Sequence, residues 1–266
     1  MEPRDISATN KAGWEEAFDR RRPDWDAGRI ERLRSERFAF VEPLLAAALD
    51  AHGLAGRAVG QFCCNDGREL LSVVQAGAAS GVGFDIADNM VDYARRCAEV
   101  LGAPCRFVAG DVLAIGEEWR DAFDVALVTI GALTWFESPT TFFAKAASCL
   151  KPGGRLFLSD MHPATNLFAA PGEEGYDAER PDRVAASYFR SEPFVESTGI
   201  GYLSGRYESK PLVSFFYTFA DLVAALEANG LVLRALQESE RDLSGLFGHL
   251  QDRGIPLSYL AVAERR

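Results

Sequence analysis

Apolar residues along the middle of this chain fall in short unbroken runs, each followed by a turn and then by a stretch where they recur every three or four positions. The runs RAVGQFC (57–63), GVGFDI (81–86), CRFVAGD (105–111), DVALVTI (124–130) and GRLFLSD (154–160) read as strands buried on both faces. Between them, GRELLSVVQAGA (67–78), DNMVDYARRCAEVLG (88–102) and SPTTFFAKAASCL (138–150) carry apolar residues at helical spacing. Strand and helix in alternation predict an α/β fold built on a doubly wound, mostly parallel sheet.

Boundary residues sharpen this parse. Asp88 is placed to cap the second helix, Ser138 before Pro139 to open the third, and Pro152-Gly153-Gly154 to stop it. Residues 29–53 read as one or two helices, 219–230 as a helix stopped at Asn229-Gly230, and 231–238 and 257–264 as two more strands. Residues 163–213, rich in Pro, Gly and Tyr, show no strand-helix period and read as an insertion over one end of the sheet. The chain divides into a helical arm or lid (1–56), a ligand-binding core (57–160), a lid insertion (161–216) and the remainder of the sheet (217–266).

Length narrows the picture to one large α/β domain with extensions, since 266 residues with 48% hydrophobic content suffice for one sizeable core. A net charge of -11 opposes docking on nucleic acid or an anionic membrane. The basic cluster Arg20, Arg21, Arg22, Arg29, Arg32 and Arg34 is interleaved with acids and reads as a solvated helical face. No apolar run approaches the ~20 residues that cross a bilayer. The expectation is a cytoplasmic monomer or homodimer acting on a small molecule. Five cysteines (63, 64, 97, 105, 149) at irregular spacing fit neither a disulfide framework nor a zinc knuckle, so no metal is expected.

In open parallel sheets, ligands bind at the carboxyl ends of the strands. That rule selects Gln61 to Gly67, Asp85, Gly110-Asp111, Thr129 to Trp135, and Asp160 to His162 as one elongated site. Asp85, at the tip of the second strand, suits a carboxylate that accepts from two ribose hydroxyls.

AVGQFCCNDGREL, GVGFDIADNM, AGDV, FDVALVTIGALTWF and LKPGGRLFLSD stand in order over residues 57–160, and with them the chain resembles the class I S-adenosylmethionine-dependent methyltransferases. The resemblance implies a Rossmann-like, seven-stranded sheet with an antiparallel last strand, here 257–264, and S-adenosylmethionine as cofactor, leaving S-adenosylhomocysteine. The first motif departs from the family pattern: Gln61 stands for an acidic residue, and Cys63 and Asn65 for the first two of three glycines, with Gly67 as the third. Asn tolerates positive φ, so the turn is feasible.

By the same resemblance, Gln61, Phe62, Cys63, Asn65, Gly67 and Arg68 line the methionine portion. Asp85 holds the ribose, Ile86 packs on adenine, Asp111 accepts from its amino group, and Val112 adds a backbone or apolar contact. Thr129 and Ile130 sit under the sulfonium. Arg68, Asn10 and Trp14 are the candidates for the methionine carboxylate.

Methyl transfer is an in-line displacement, so a base is needed only when the acceptor arrives protonated. His162, with an ordinary pKa near 6.5, is the candidate base or else the residue that fixes the His162-Pro163 turn; Asp160 is a second candidate base or a loop anchor. Trp14, Trp135, Phe136, Tyr176, Tyr188, Tyr202, Tyr207, Phe215 and Tyr217 supply either an aromatic acceptor wall or ordinary packing. His52 and His249 read as local structural residues. Two other functions share the Asp85 argument: a nicotinamide-dependent Rossmann oxidoreductase, disfavoured by the lack of GxGxxG, and a non-catalytic S-adenosylmethionine-binding protein.

Overall fold

The computed structural model describes residues 3–266, with side chains from Ile6 onward. Three helices lead: α1 (Pro3–Asp19), α2 (Arg29–Ser35) and α3 (Pro43–His52). The alternating core follows as β1 (Ala58–Phe62), α4 (Arg68–Gln75), β2 (Ser80–Asp85), α5 (Asp88–Leu101), β3 (Cys105–Ala109), β4 (Phe123–Thr129), α6 (Pro139–Cys149) and β5 (Leu150–Met161). The segment after β5 contains β6 (Phe194–Glu196), α7 (Gly201–Ser204) and β7 (Leu212–Ser214), and the chain ends with α8 (Phe219–Ala228), β8 (Leu231–Ser239) and β9 (Ser258–Arg265).

Seven strands form one sheet in the order β3-β2-β1-β4-β5-β9-β8, and β6 pairs with β7 in a separate small sheet. The first five strands pair in parallel, whereas β9 runs antiparallel to both β5 and β8. The expected mostly parallel sheet with an antiparallel last strand is therefore the observed one. Its faces are covered differently. Phe62, Phe84, Phe142 and Leu226 pack on the side of α6 and α8. Val59, Leu127, Leu49, Leu70 and Val91 pack on the side of α3, α4 and α5. Burial on both faces is what makes each core strand read as a continuous apolar run.

Two boundary readings require correction. Ala87, not Asp88, is the N-cap of α5 and has no side-chain cap bond; Asp88 starts the helix and turns its carboxylate to Lys11 Nζ at 2.8 Å. Pro152-Gly153-Gly154 does not stop α6, which ends at Cys149. Those residues lie inside the irregular start of β5, where the register with β4 shifts between Phe123 and Val125. Ser138 does cap α6, accepting from the Thr141 amide at 3.3 Å.

Close approach decides Gly60 in mid-β1. A Cβ there would lie 2.6 Å from the Phe123 ring, inside a packed core. Gly60→Ala is expected to destabilise the protein by ~1–3 kcal/mol in urea denaturation. At Gly201 a Cβ meets nothing within 4 Å, so Gly201→Ala is expected to shift stability by under ~0.5 kcal/mol.

Candidate functional site

The loop after β1 is built on left-handed backbone at alternate residues: φ is 57° at Cys63, 54° at Asn65 and 78° at Gly67. Asn accepts this region readily, whereas Cys63 carries a strain of order 1–2 kcal/mol. Gly67 has a second constraint, because a Cβ there would approach Phe107 at 2.7 Å and Ala94 at 2.8 Å. Asp85, at the end of β2, holds the loop in place. Its Oδ2 accepts from the Asn65 amide at 2.7 Å and its Oδ1 from the Ala87 amide at 3.0 Å. Burial pushes the Asp85 carboxyl up to about 6, partly offset by amide bonds from Ala87, Asn65 and Ile86.

At the ends of β1 and β4, buried Gln61 donates from Nε2 to Thr129 Oγ1 at 2.9 Å, while its Oε1 is buried without a hydrogen-bond partner among the described residues. Phe62, expected at the site, turns its side chain into the core against Phe84, ring centroids 5.7 Å apart, and offers the site only its backbone. Ile86 and Ile130 are half-buried and Val112 is buried. Asp160, at the end of β5, accepts on Oδ1 from Gly131 at 2.5 Å and Met161 at 2.8 Å, and so anchors the loop after β4. Burial lifts its carboxyl to about 6 as well, offset in part by amides of Gly131, Met161 and Leu133.

Helix α1 lies across the ends of β2 and β3. Ser7 Oγ donates to Asp111 Oδ2 at 2.8 Å, and Asp111 Oδ1 accepts from Leu113, so that carboxylate is engaged on both oxygens. Glu15 accepts from the Asp88 amide, and its own carbonyl accepts from Asn89. Both ends of the Asn10 amide are used on the Val213 backbone, at 2.9 and 2.7 Å, which ties α1 to β7. Trp14 meets Trp135 edge to face, with centroids 5.4 Å apart.

The basic cluster is not wholly a solvated face. Arg29 is 3% exposed and pairs with fully buried Asp66, Nη1 to Oδ2 at 2.7 Å. Trp25 Nε1 donates to the same oxygen at 2.8 Å, and the Arg29 guanidinium also lies 5.0 Å from the centre of the Tyr93 ring. Arg68 packs its guanidinium 5.3 Å from the Trp25 ring centre, and that ring tilts against exposed Tyr202. The arm thus grips the cofactor-loop candidate residues through Asp66, a position that sequence reasoning missed. Its signal was faint: one acid in the loop, and one arginine among many.

Other expected residues lie elsewhere. His162 accepts on Nδ1 from the Ala164 amide at 2.9 Å and contacts Glu238 through Nε2 at 2.9 Å, so both nitrogens are engaged and the residue fixes the turn. Burial lowers its pKa, against a smaller raising effect of Glu238. Tyr176 packs on His249, Tyr188 accepts from the Phe219 amide, and Tyr207 lies under Arg20. Phe136 packs on Phe142, Phe215 bonds its backbone to Thr134, and Tyr217 accepts through its carbonyl from Asn166. His52 contacts Arg155. Among the described residues, no group of three or more His, Cys, Asp and Glu is arranged to hold a metal ion. Burial pushes the Cys63 thiol well up, with Asp85, Asp111 and Asp160 adding to the shift.

A family model described as "Methyltransferase domain" matches residues 59–154. The ubiquinone biosynthesis O-methyltransferase of Xanthomonas axonopodis pv. citri (strain 306) is 31% identical over 122 residues, 45% of this chain and 50% of that protein. The chain thus spans about half the length of this curated relative. An S-adenosylmethionine dependent methyltransferase from Mesorhizobium loti superposes with a TM-score of 0.65 at 22% identity, over 84% of this chain and 96% of the other. Geranyl diphosphate C-methyltransferase from Streptomyces coelicolor A3(2), solved with Mg2+, geranyl diphosphate and S-adenosyl-L-homocysteine, superposes at 0.58 and 13% identity, over 84% of this chain and 78% of the other. At these identities the shared property is the fold.

Arg29→Ala leaves Asp66 buried and unpaired, so it is expected to lower stability by ~3–5 kcal/mol in denaturant titration. Replacing both partners, Arg29→Met with Asp66→Leu, is expected to recover most of that loss; a double variant no better than the single one would contradict the pairing.

Proposed function

We propose, with residues 59–154 as a methyltransferase domain, that the chain is an S-adenosylmethionine-dependent methyltransferase moving a methyl group to an oxygen, nitrogen or carbon of a small-molecule metabolite. The observation that carries this reading is the Asp85 clamp. A buried carboxylate at the tip of β2 holds open a left-handed loop at the tip of β1, its two oxygens accepting from the Asn65 and Ala87 amides with the Ile86 amide adding to them. A carboxylate has about four lone-pair sites, so capacity remains that ribose hydroxyls would take.

The site fits the cofactor in a second respect, because buried Gln61 Oε1 has no partner among the described residues and the methionine end brings an ammonium. When bound, the cofactor supplies an electrophilic methyl group. Ile86 and Val112 would pack the adenine. Thr129, held by Gln61, would lie at the reacting end, and Arg68, paired with Glu69 at 3.1 Å, would take the methionine carboxylate. Trp14 and Trp135 would wall the acceptor side and exclude water.

Asp160 is the better placed of the two candidate bases, because both His162 nitrogens are engaged. A carboxyl lifted to about 6 can take a proton near neutrality from an acceptor that needs to lose one. The curated relative's name includes an O-methyltransferase activity, which makes hydroxylated acceptors the first to screen.

Calorimetric titration with S-adenosylmethionine, S-adenosylhomocysteine and NADH is the direct test. Heat from the sulfur nucleosides alone is expected; heat from NADH alone would overturn the reading in favour of an oxidoreductase. Ribose hydroxyls favour ionised Asp85, and that group takes up its proton below about 6. Affinity for S-adenosylhomocysteine is therefore expected to be flat above pH ~7 and to fall by up to about tenfold per pH unit below ~6. Asp85→Asn should weaken binding at least ~10-fold at pH 7.5 and flatten that dependence.

A further inference from the structure

Arg190, in the segment between β5 and α8, is a cation that the protein itself leaves unused. It is half-buried, its guanidinium stands 3.3 Å from the centre of the Phe216 ring, and its Nε is buried with no hydrogen-bond partner among the described residues. Two other cations of the segment are spent: Arg180 pairs with Asp177 at 3.4 Å, and Arg206 donates to the Pro171 carbonyl at 2.9 Å. Glu173 is the acid whose charge reaches Arg190, but its Oε2 accepts from the Ala170 amide at 2.7 Å, and among the described residues no ion pair joins the two. Burial lowers the Arg190 pKa, yet a guanidinium stays charged at neutral pH. A guanidinium that gives up water without gaining an acceptor is left with donors for a ligand to take.

Phe216 fixes where this cation stands. Phe215 donates its amide to the Thr134 carbonyl at 2.7 Å, and its own carbonyl accepts from Thr134 Oγ1 at 2.9 Å. The carbonyl of Tyr217 accepts from Asn166 Nδ2 at 3.4 Å. Phe216 is thus strung between the loop after β4, which carries Trp135, and the turn after β5, both at the carboxyl end of the parallel strands. The ring of Phe194, 37% exposed, meets that of Phe216 with centroids 6.2 Å apart, and Phe189, which adjoins Arg190 in the chain, is 79% exposed. A charge flanked by rings rather than by carboxylates draws an anion more strongly than a fully solvated arginine does.

We propose that the Arg190 guanidinium receives an anionic group, a carboxylate or a phosphate ester, on the methyl acceptor. The methyltransferase reading above is what makes that ligand an acceptor. The planar fork of N–H donors matches either group in a bidentate pair, which a lysine ammonium does not reproduce. Stacking on Phe216 holds the plane of the fork, so less freedom is lost when the anion arrives. An anion that takes no part in the displacement is held alike before and during transfer, so Arg190 selects the acceptor rather than speeding the methyl step.

The test is calorimetric titration of the S-adenosylhomocysteine-loaded protein with benzoate, phenyl phosphate and uncharged benzamide, at pH 7.5 and about 0.15 M salt so that weak surface attraction is screened. Either anion is expected to bind with a Kd of about 1 mM or below, and benzamide at least about tenfold more weakly. Arg190→Met is expected to weaken the anion at least about tenfold, Arg190→Lys to retain part of the affinity, and Arg183→Gln, at an exposed position of the same segment, to leave it unchanged. Tighter benzoate assigns a carboxylic acceptor, and tighter phenyl phosphate a phosphorylated one. Anion affinity that Arg190→Met leaves unchanged, no anion binding at all, or benzamide bound as tightly as benzoate would overturn the proposal. So would an anion that binds only when the nucleoside is absent, since it would then sit where the methionine carboxylate belongs. Should Arg190→Met fail to fold by circular dichroism, the loss in Arg190→Lys and the preference for benzoate over benzamide still decide. A protein that binds the anions but no S-adenosylhomocysteine keeps the anion site and sinks the methyltransferase reading instead.

Discussion

A single carboxylate, Asp85, connects the two loops on which the ligand end of this sheet is built. It reaches from the tip of β2 to the Asn65 amide in the loop after β1 and to the Ala87 amide that opens α5. Those bonds offset the cost of left-handed backbone at Cys63 and Asn65, a region that non-glycine residues enter only under constraint. With the loop fixed, Gly67 can be pressed against Phe107 and Ala94, which sets where α4 begins.

Around that clamp the protein buries three carboxylates by different means. Asp66 is paired with a cation, Arg29, that the N-terminal arm brings in. Asp85 and Asp160 are held by backbone amides and rise toward neutrality. Amides position a carboxylate without cancelling its charge, so those two remain able to accept from a ligand, whereas Asp66 is committed to structure. Its partner ties the closure of the arm to the shape of the loop, because Trp25 and Arg29 meet on one oxygen of Asp66.

Much of this was legible in the linear pattern. The five apolar runs are strands, the amphipathic stretches are helices, and the three turn positions matched to glycines are the left-handed ones, although two of them are not glycine. Where the reading failed, the cause was a partner distant in sequence. Asp88 follows the cap rule for a helix start, but α5 is entered from Ala87 with Asp88 as its first residue, and the Asp88 carboxylate went to Lys11. For His162 the sequence left two roles open, base or turn residue, and only the contacts with Ala164 and Glu238 show both nitrogens engaged at the turn. Tyr176, Tyr188 and Tyr207 follow the binding end in sequence, and in the structure they meet His249, the Phe219 amide and Arg20.

By itself the sequence determined the layering of the sheet, the positions of its strand ends and the residues in the loops between them, because burial period and turn chemistry are local properties. Only the tertiary structure decided which of those loop residues keep a free hydrogen-bonding valence. That property depends on what arrives from afar: Ser7 on Asp111, Arg29 on Asp66, Glu238 on His162 and, among the described residues, no donor on Gln61 Oε1. A side chain's chemistry is written in the chain, but its availability is the balance left once every other buried polar group has been satisfied.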